Sequence, residues 1–600
     1  MAGGCGRSML AGPAAQATTR SRRRVASSCA LALAVAAVIG CGRGKSGHET
    51  AIARALAPND DLAAHDAEFK REVIEVTAGV HVAVGFGISN SILLEGDDAV
   101  IVVDTMESAE AARPVKEAFD RITTKPLAAI IYTHNHADHV FGAGVFAAGT
   151  KPAIYSHATL VGEVARIVNV VRPIIFERSM RQFGTYLPQS EHVSCGIGPR
   201  LINDATTTIA YLPPTNTFDG EQTEIEVAGV KMVLVHAPGE TPDHIFVWLP
   251  EKRVLLPGDN FYESFPNLYA IRGTSYRDVG EWVRSLDKMR ALQPAFLVPS
   301  HTRPVSGEDA IQEALTDYRD AIQFVHDQTV RWMNKGLTPD EIVERVHLPE
   351  HLADKPYLRE YYGHVDWSVR SIFAGYLGWF GGDAVDLRPL ARRAHAQRVV
   401  VLAGGATRVL DAARTARASG DDQWALELAT ELLLVDDTSV AAQARTIRAD
   451  ALRALAAREI SANGRNYYLT QALETSGDVK IEPPDPSTAP DDLLRSFPVG
   501  NYLNAMAVNL DPEKAAGVDT VVGFRFPDTA EEYTLHVRHG VVEVAPHFPE
   551  APPDMTVAVD SMVWKEILSR KRNAAAAIAK GDVKVDGGRI ELVRFLLMFR

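Results

Sequence analysis

The sequence predicts an α/β sandwich of two sheets with helices outside, followed by an all-helical region and then an α+β region. Between residues 72 and 304, short runs rich in β-branched residues alternate with segments of helical period. Between residues 309 and 474 the strand signals disappear, and Ala, Leu, Glu and Arg recur at helical spacing. Strand signals return after residue 520. A chain of 600 residues is also too long for a single core.

Two series of predicted strands define the sandwich, which we assign to residues 71–308. One helix, over residues 109–122, separates the third and fourth strands of the first series. The strands are predicted at 80–84, 91–95, 99–104 and 128–132, and then at 224–227, 231–235, 245–249, 254–256 and 296–298.

Three further segments follow the sandwich. Residues 309–478 form the helical region, and the proline-rich residues 479–492 are typical of a stiff linker. Residues 493–600 form the last domain, with an apolar helical tail over 590–599. Its strands are predicted at 520–524, 533–537 and 555–559.

The first 41 residues predict an export signal. A basic stretch, 21–24, precedes an apolar run over 29–40 that is too short to span a membrane. The run ends before Cys41 in a pattern that resembles a bacterial lipobox, which predicts a lipid on Cys41 as the membrane attachment. The alternative is a plain secretory signal with a chance cysteine. In either case we expect an exported protein of the periplasm or cell envelope, with residues 42–70 as a linker.

Charge and cysteine content limit the partners and the metal ligands that the chain can use. A net charge of -14 argues against nucleic acid as a partner, because phosphate binding requires a basic surface. Once the leader and Cys41 are set aside, Cys195 is the one cysteine left in the sequence. Neither a disulfide framework nor a thiolate zinc site is therefore expected. Any metal must be held by histidines and carboxylates.

A histidine-rich segment directly after the strand at 128–132 predicts that metal site. It contains His134, His136, Asp138 and His139. Histidines two residues apart in an extended segment project to the same side, and the following Asp-His pair can reach a second ion. Neutral imidazole and carboxylate are ligands that zinc accepts.

These four residues match the HxHxDH motif, and the chain resembles the metallo-β-lactamase superfamily. That resemblance implies an αββα sandwich and three further ligands downstream. Asp259, at a strand end, and His301, after a later strand, fit two of them. Glu240 stands where the family usually has its third histidine, and the flanking His236 and His244 are the alternatives.

The implied site holds two zinc ions. His134, His136 and Glu240 would bind one ion, Asp138, His139 and His301 the other, and Asp259 would bridge them. Two zinc ions lower the pKa of a shared water and supply hydroxide at neutral pH.

A glutamate at the third position resembles the alkyl sulfatase branch of the superfamily. Residues 267–273 (NLYAIRG) resemble a segment of that branch in which Asn267 and Arg272 would hold the sulfate, and Arg277 matches a further position near it. A guanidinium fork suits a tetrahedral anion. The segments 362–379 and 463–469 resemble the start and end of the branch's helical dimerisation domain, which implies a homodimer, and the last hundred residues resemble its sterol-carrier-like domain.

Two departures from that branch concern the chemistry. Asp259 replaces a glutamate, and Trp367 stands where the branch has a histidine proposed to donate a proton to the leaving alcohol. A general acid of this kind increases the reaction rate by about 10²–10⁴-fold. We therefore consider His364 as the donor, with a substrate that has a better leaving group as the alternative, and we count Asp138 as a catalytic residue as well as a ligand.

The resulting expectation is a zinc hydrolase that cleaves an amphiphilic alkyl sulfate ester to an alcohol and inorganic sulfate. One alternative is a hydrolase of another ester, lactone or lactam on the same fold, indifferent to the loss of Arg272. The other is a lipid-binding surface lipoprotein with a vestigial metal site, which the complete set of ligands disfavours.

Overall fold

A computed structural model describes residues 57–204, 207–435 and 437–599. Within these ranges, no helix combines the length and the apolar composition needed to span a bilayer. The predicted signal peptide and Cys41 lie outside the described residues.

Two mixed sheets form the first half of the described chain. The first has the order β1-β2-β3-β4-β5-β6-β7, with parallel pairing from β4 to β7. The second has the order β13-β12-β11-β10-β9-β8, with β11 and β12 parallel. The first sheet comprises β1 (Glu72–Thr77), β2 (Val80–Val84), β3 (Ser91–Glu95), β4 (Val100–Val103), β5 (Leu127–Ile131), β6 (Ala153–His157) and β7 (Asn216–Phe218). The second comprises β8 (Gln222–Val227), β9 (Val230–His236), β10 (Ile245–Leu249), β11 (Val254–Leu256), β12 (Phe296–Leu297) and β13 (Val305–Ser306).

Alternation along the strands explains why the two sheets pack face to face. Ile101 and Val103 of β4 belong to the core between the sheets, together with Leu234 and Val247 of the second sheet. Val102, on the opposite side of β4, packs into the core beneath the outer helices. Successive side chains of a strand point to opposite faces, so β-branched residues at every position cover both faces of a buried sheet.

Helices cover both outer faces. Against the first sheet and around its loops lie α2 (Ala109–Asp120), α3 (Ala137–Val140), α4 (Ala143–Phe146), α5 (Leu160–Ala165) and α6 (Arg172–Gln182), after a short α1 (Asp60–His65). Against the second sheet lie α7 (Val279–Ala291), α8 (Glu308–Met333) and α11 (Val365–Leu377). The predicted αββα sandwich is confirmed.

The all-helical region and the C-terminal α+β region are also confirmed. The sheet of the last region has the order β16-β15-β14-β17-β18. The remaining helices are α9 (Pro339–Val343), α10 (Glu350–Ala353), α12 (Arg392–Leu402), α13 (Ala406–Ser419), α14 (Asp422–Leu434), α15 (Thr438–Arg458), α16 (Ala462–Ser476), α17 (Asp491–Arg495), α18 (Val499–Ala507), α19 (Ser561–Leu568), α20 (Ala574–Lys580) and α21 (Arg589–Leu597). The remaining strands are β14 (Asp519–Phe526), β15 (Glu531–Arg538), β16 (Val541–Ala545), β17 (Met555–Val559) and β18 (Val583–Asp586).

One boundary differs from the prediction in a way that matters for the site. The predicted strand over 99–104 ends at Val103, because Asp104 adopts a left-handed conformation with φ 59°. This conformation is uncommon for a residue with a side chain. It turns the chain at the carboxyl end of β4, next to the loop that follows β5. Ligands of α/β sheets bind at such carboxyl ends.

Candidate metal centre

The histidine-rich loop after β5 contributes to two groups of possible ligands. Ligand atoms of His134, His136 and Asp259 lie within 4.8 Å of one another. Ligand atoms of Asp138, His139 and His301 form the second group, with the same spacing limit. We call these the first and the second cluster. His134 and His136 lie in the loop that follows the strand, whereas Asp138 and His139 lie on α3.

Asp259 lies between the two clusters. Its Oδ2 atom is 3.7 Å from His134 Nε2 and 3.4 Å from His139 Nε2. The same oxygen is 3.1 Å from His301 Nε2. Asp259 follows β11 and His301 follows β12, so the two parallel strands deliver both residues to the same edge. This position matches the bridging role predicted for Asp259.

Glu240 lies beside the first cluster. Its Oε1 atom is 3.7 Å from His136 Nδ1, and its Oε2 atom accepts a hydrogen bond from Arg277. The two histidines that flank it in sequence have other partners. His244 Nε2 accepts a hydrogen bond from the main-chain N of Asp259 at 3.0 Å, and His236 Nε2 lies 2.9 Å from the carbonyl oxygen of Pro242. The geometry therefore favours Glu240 over both alternatives.

The residues of the two clusters fit a pair of zinc ions. His139 Nε2 and Asp259 Oδ1 are buried and have no hydrogen-bond partner among the described residues. Buried polar atoms are normally paired, so these two atoms are explained by a ligand they would share. Imidazole nitrogens and carboxylate oxygens are the donor set that zinc accepts.

Asp104 is a residue of the site that the sequence analysis missed. Its Oδ2 atom accepts hydrogen bonds from His139 Nδ1 at 2.8 Å and from Ser300 Oγ at 2.7 Å. Its Oδ1 atom accepts one from the main-chain N of Thr133 at 2.9 Å. Asp104 thereby fixes the ring of His139 with Nε2 facing the second cluster, as the outer partners of metal-ligating histidines do.

Charges within the second cluster set its protonation. Burial works against ionisation of Asp138, but His139 and His301 lower its pKa to about 2. Burial alone would lower the pKa of both histidines. The charge of Asp259 nevertheless raises the pKa of His139 well above its usual value, and it raises the pKa of His301 as well. The carboxylates of this cluster therefore favour the protonated form of both histidines.

A cleft opens onto the first cluster. Its lining includes Asn135, His136, Glu240, Arg272, Tyr276 and Arg277. Arg272 Nη2 donates to His136 Nε2 at 2.9 Å, and Arg277 also donates to the carbonyl oxygen of Asn267. The three predicted sulfate-binding residues are therefore brought together at the metal site.

Comparison with known proteins agrees with this arrangement. Residues 84–301 match the metallo-beta-lactamase superfamily, residues 338–478 match the alkyl sulfatase dimerisation family, and residues 487–600 match the alkyl sulfatase C-terminal family. A linear primary-alkylsulfatase of Pseudomonas sp. (strain ATCC 19151) is 40% identical over 523 residues, which cover 84% of this chain and 98% of that protein. The chain belongs to the alkylsulfatase family.

Other alkylsulfatases extend the similarity. An (R)-specific secondary-alkylsulfatase of Pseudomonas sp. is 29% identical over 87% of this chain and 80% of its own length. The solved structure of the stereoselective inverting sec-alkylsulfatase Pisa1 from Pseudomonas sp. superposes with a TM-score of 0.84 at 28% identity, covering 90% of this chain and 87% of that one. The predicted hydrolase and its family are confirmed. The match to the dimerisation family supports a homodimer, and the ligand clusters support the use of metal.

One predicted site residue of this alkylsulfatase is not brought to the metal clusters. His364 caps the N-terminus of α11, where its Nδ1 accepts from the main-chain N of Asp366 at 3.3 Å. The same atom lies 3.6 Å from Glu360 Oε1 and 4.0 Å from Asp366 Oδ2, and the ring is 5.1 Å from that of Trp367. None of these contacts is with a candidate ligand or a sulfate-binding residue. The structure thus offers no support for His364 as proton donor.

Tyr362 lies closer to the site than His364 does. It is buried, and its pKa is raised by burial and then by the negative charge of Glu240. Its ring is 5.8 Å from that of Tyr262, which in turn is 6.1 Å from the ring of His301. The sequence analysis quoted Tyr362 only as part of the dimerisation-domain resemblance. No spacing pattern relates it to the metal motif, which lies more than two hundred residues earlier.

Proposed function

We propose that this chain is a binuclear zinc enzyme that hydrolyses alkyl sulfate esters to an alcohol and inorganic sulfate. Its relatives are named as primary and secondary alkylsulfatases, and the chain spans nearly the whole of the most similar of them reported above. The observation that carries the substrate class is a set of buried polar groups without partners beside the metal clusters.

These groups form a site for an anion. The Nε and Nη2 atoms of Arg277 and both side-chain polar atoms of Asn267 are buried without a hydrogen-bond partner among the described residues. Arg272 adds a second guanidinium at the same cleft. Unpaired buried donors are costly, and a tetrahedral anion would satisfy several at once through charge-assisted bonds. A neutral ester or a lactam would leave these donors unpaired.

The spacing of the clusters supports the following metal assignment. His134, His136 and Glu240 would hold one zinc ion, Asp138, His139 and His301 the other, and Asp259 would bridge the two. When bound, two zinc ions lower the pKa of a shared water toward neutrality.

Residues of the chain itself bind the sulfate and position the attacking water. Arg272 and Arg277 hold the sulfate oxygens and orient the sulfur toward the clusters, and Asn267 donates from its amide. Asp138 remains ionised at neutral pH, so it can accept a hydrogen bond from the attacking water. The burial of these groups excludes bulk water and strengthens each charge–dipole contact.

Export and lipidation are also part of the proposal. They rest on the basic stretch 21–24, the apolar run 29–40 and Cys41. A Cys41→Ser variant should move the protein from the membrane fraction to the soluble periplasmic fraction. Equal fractionation of both forms would favour a plain secretory signal.

The decisive assay is the release of inorganic sulfate from dodecyl sulfate by the zinc-loaded protein. We expect sulfate release by the wild type and none by Asp138→Ala. Arg272→Ala removes the charged hydrogen bonds from this guanidinium to the sulfate, and each of them contributes roughly 1.5–3 kcal/mol. Each lost bond should therefore lower kcat/KM by about 10–150-fold. Binding of two zinc ions without sulfate release would overturn the substrate class and retain the metal site.

A further inference from the structure

The loop between β9 and β10 carries more than the ligand Glu240. Asp243, three residues later, is completely buried, and its Oδ1 atom accepts a hydrogen bond from Asn135 Nδ2 at 2.5 Å. Asn135 is the residue between His134 and His136, and it is buried at the wall of the cleft. The bond between Asp243 and Asn135 therefore joins the two loops that supply the proposed ligands of the first zinc ion.

The next residue of the same loop reaches a third ligand. His244 Nε2 accepts the hydrogen bond from Asp259 N, and its ring stacks on that of His134 at 5.0 Å. The approach is tight, because a Cβ atom on Gly258 would lie 2.5 Å from His244 Nε2. Gly258 has a φ of 59°, which suits glycine. The segment 240–244 thus contacts the segments that carry His134, His136 and Asp259.

The chemistry of the Asp243–Asn135 pair gives the bond a direction. A carboxylate can only accept, so the amide of Asn135 must turn its NH₂ group toward Asp243. A buried carboxylate is costly unless it is hydrogen-bonded, and the contact with Asn135 supplies such a bond. The backbone on both sides of Asn135 is then held in the conformation that projects the two flanking imidazoles.

We propose that Asp243 is a positioning residue for the first zinc ion, acting through the side chain of Asn135 on the spacing of His134, His136 and Glu240. This inference rests on the proposed metal site. Mutation of a residue that hydrogen-bonds to a metal ligand typically lowers the metal affinity by about 10–100-fold. The effect should be confined to the first ion, because the second cluster is oriented by Asp104 instead.

The test measures zinc affinity by competition with a chromophoric chelator, without reference to turnover. Asp243→Ala removes the acceptor and should weaken the binding of one ion by about 10–100-fold and leave the other unchanged. The exchanged pair, Asn135→Asp with Asp243→Asn, restores one donor and one acceptor and should recover most of the loss. The exposed Asp98→Ala is the matched control, and it should bind both ions as the wild type does. Cobalt substitution should show a changed visible spectrum for the first ion only.

The outcomes separate this inference from the metal site itself. If the wild type does not bind two ions, the proposed metal site fails. If it does, and Asp243→Ala binds both ions with unchanged affinity, Asp243 has no positioning role. An exchanged pair no better than Asp243→Ala also overturns the inference. Should Asp243→Ala fail to fold, Asn135→Ser removes the same bond from the other side. Loss of the first ion in that variant supports the inference, and unchanged binding refutes it.

Discussion

Replacing Asp104 with asparagine removes one carboxylate oxygen from the centre of the ligand network and tests whether that network orients the second zinc ion. Oδ2 of Asp104 accepts from His139 Nδ1 at 2.8 Å, from Ser300 Oγ at 2.7 Å and from Thr133 Oγ1 at 2.9 Å. Oδ1 accepts from the main-chain N of Thr133 at 2.9 Å. Four donor contacts therefore converge on one side chain.

An asparagine cannot satisfy this set in either orientation. If its NH₂ group replaces Oδ2, it faces the N–H of His139, and two donors oppose each other. If the amide is turned around, the NH₂ group faces the main-chain N–H of Thr133 instead. The hydroxyls of Ser300 and Thr133 can rotate and accept, but these two N–H groups cannot. One buried donor is left unpaired in either case, at about 1–3 kcal/mol.

That cost should appear as weaker binding of the second ion. At about 1.4 kcal/mol for each tenfold change, the affinity should fall by about 5- to 150-fold. Chelator competition measures the two ions separately, with Ser300→Ala as the matched control. Ser300→Ala removes one donor and leaves every other donor with its acceptor. Its affinity for the second ion should therefore fall by less than about tenfold. Unchanged affinity for the second ion in Asp104→Asn would refute the role assigned to Asp104.

Three further predictions follow from the buried groups. Burial lowers the pKa of His139 and His301 and the facing carboxylates raise it, with a net rise, so zinc uptake should release protons and weaken as the pH falls; binding enthalpies independent of the buffer would contradict this. Burial raises the pKa of Glu263 to about 7. The folded chain therefore holds this proton more tightly than the unfolded chain, and stability falls as the pH rises from about 4.5 through 7. Glu263→Gln should be more stable than the wild type at pH 8 by about 1–3 kcal/mol in urea unfolding, with little difference at pH 4. Gly363→Ala would place its Cβ 2.0 Å from the carbonyl oxygen of Pro266 and should raise the KM for a sulfate ester; unchanged kinetics would show that this loop is free to shift.

The fold and the metal ligands could be predicted because their signals are local in the sequence. Continuous apolar runs mark strands that are buried on both faces, and β4 and β5 are such runs. Asp259 and His301 each follow an apolar strand, and parallel strands bring such residues to one edge. Two of the strands that the sequence analysis missed, β13 and β18, are short, with two and four residues, and lie at sheet edges.

The residues that orient the ligands could not be predicted in the same way. Asp104 looks in the sequence like the last residue of a strand, and its role depends on the left-handed φ that turns its carboxylate toward His139. Asp243 looks like an ordinary loop carboxylate, and its partner Asn135 is more than a hundred residues away. Such pairs are joined by tertiary structure alone, so no spacing rule identifies them.

The sulfate-binding segment depends on the helical region as well as on the sandwich. Between the two, Phe265 N donates to the carbonyl oxygen of Arg359 at 2.8 Å, and Gly363 N donates to that of Phe265 at 3.1 Å. Tyr362 N donates to Ser264 Oγ at 2.9 Å, and its carbonyl oxygen accepts from Asn463 Nδ2 at 3.0 Å. These bonds hold the loop that leads into the proposed sulfate-binding residues from the side opposite the sheets. A chain cut at residue 308, the predicted end of the catalytic domain, would keep every proposed zinc ligand and lose this support. The helical region therefore serves the active site directly, in addition to any role in pairing two subunits.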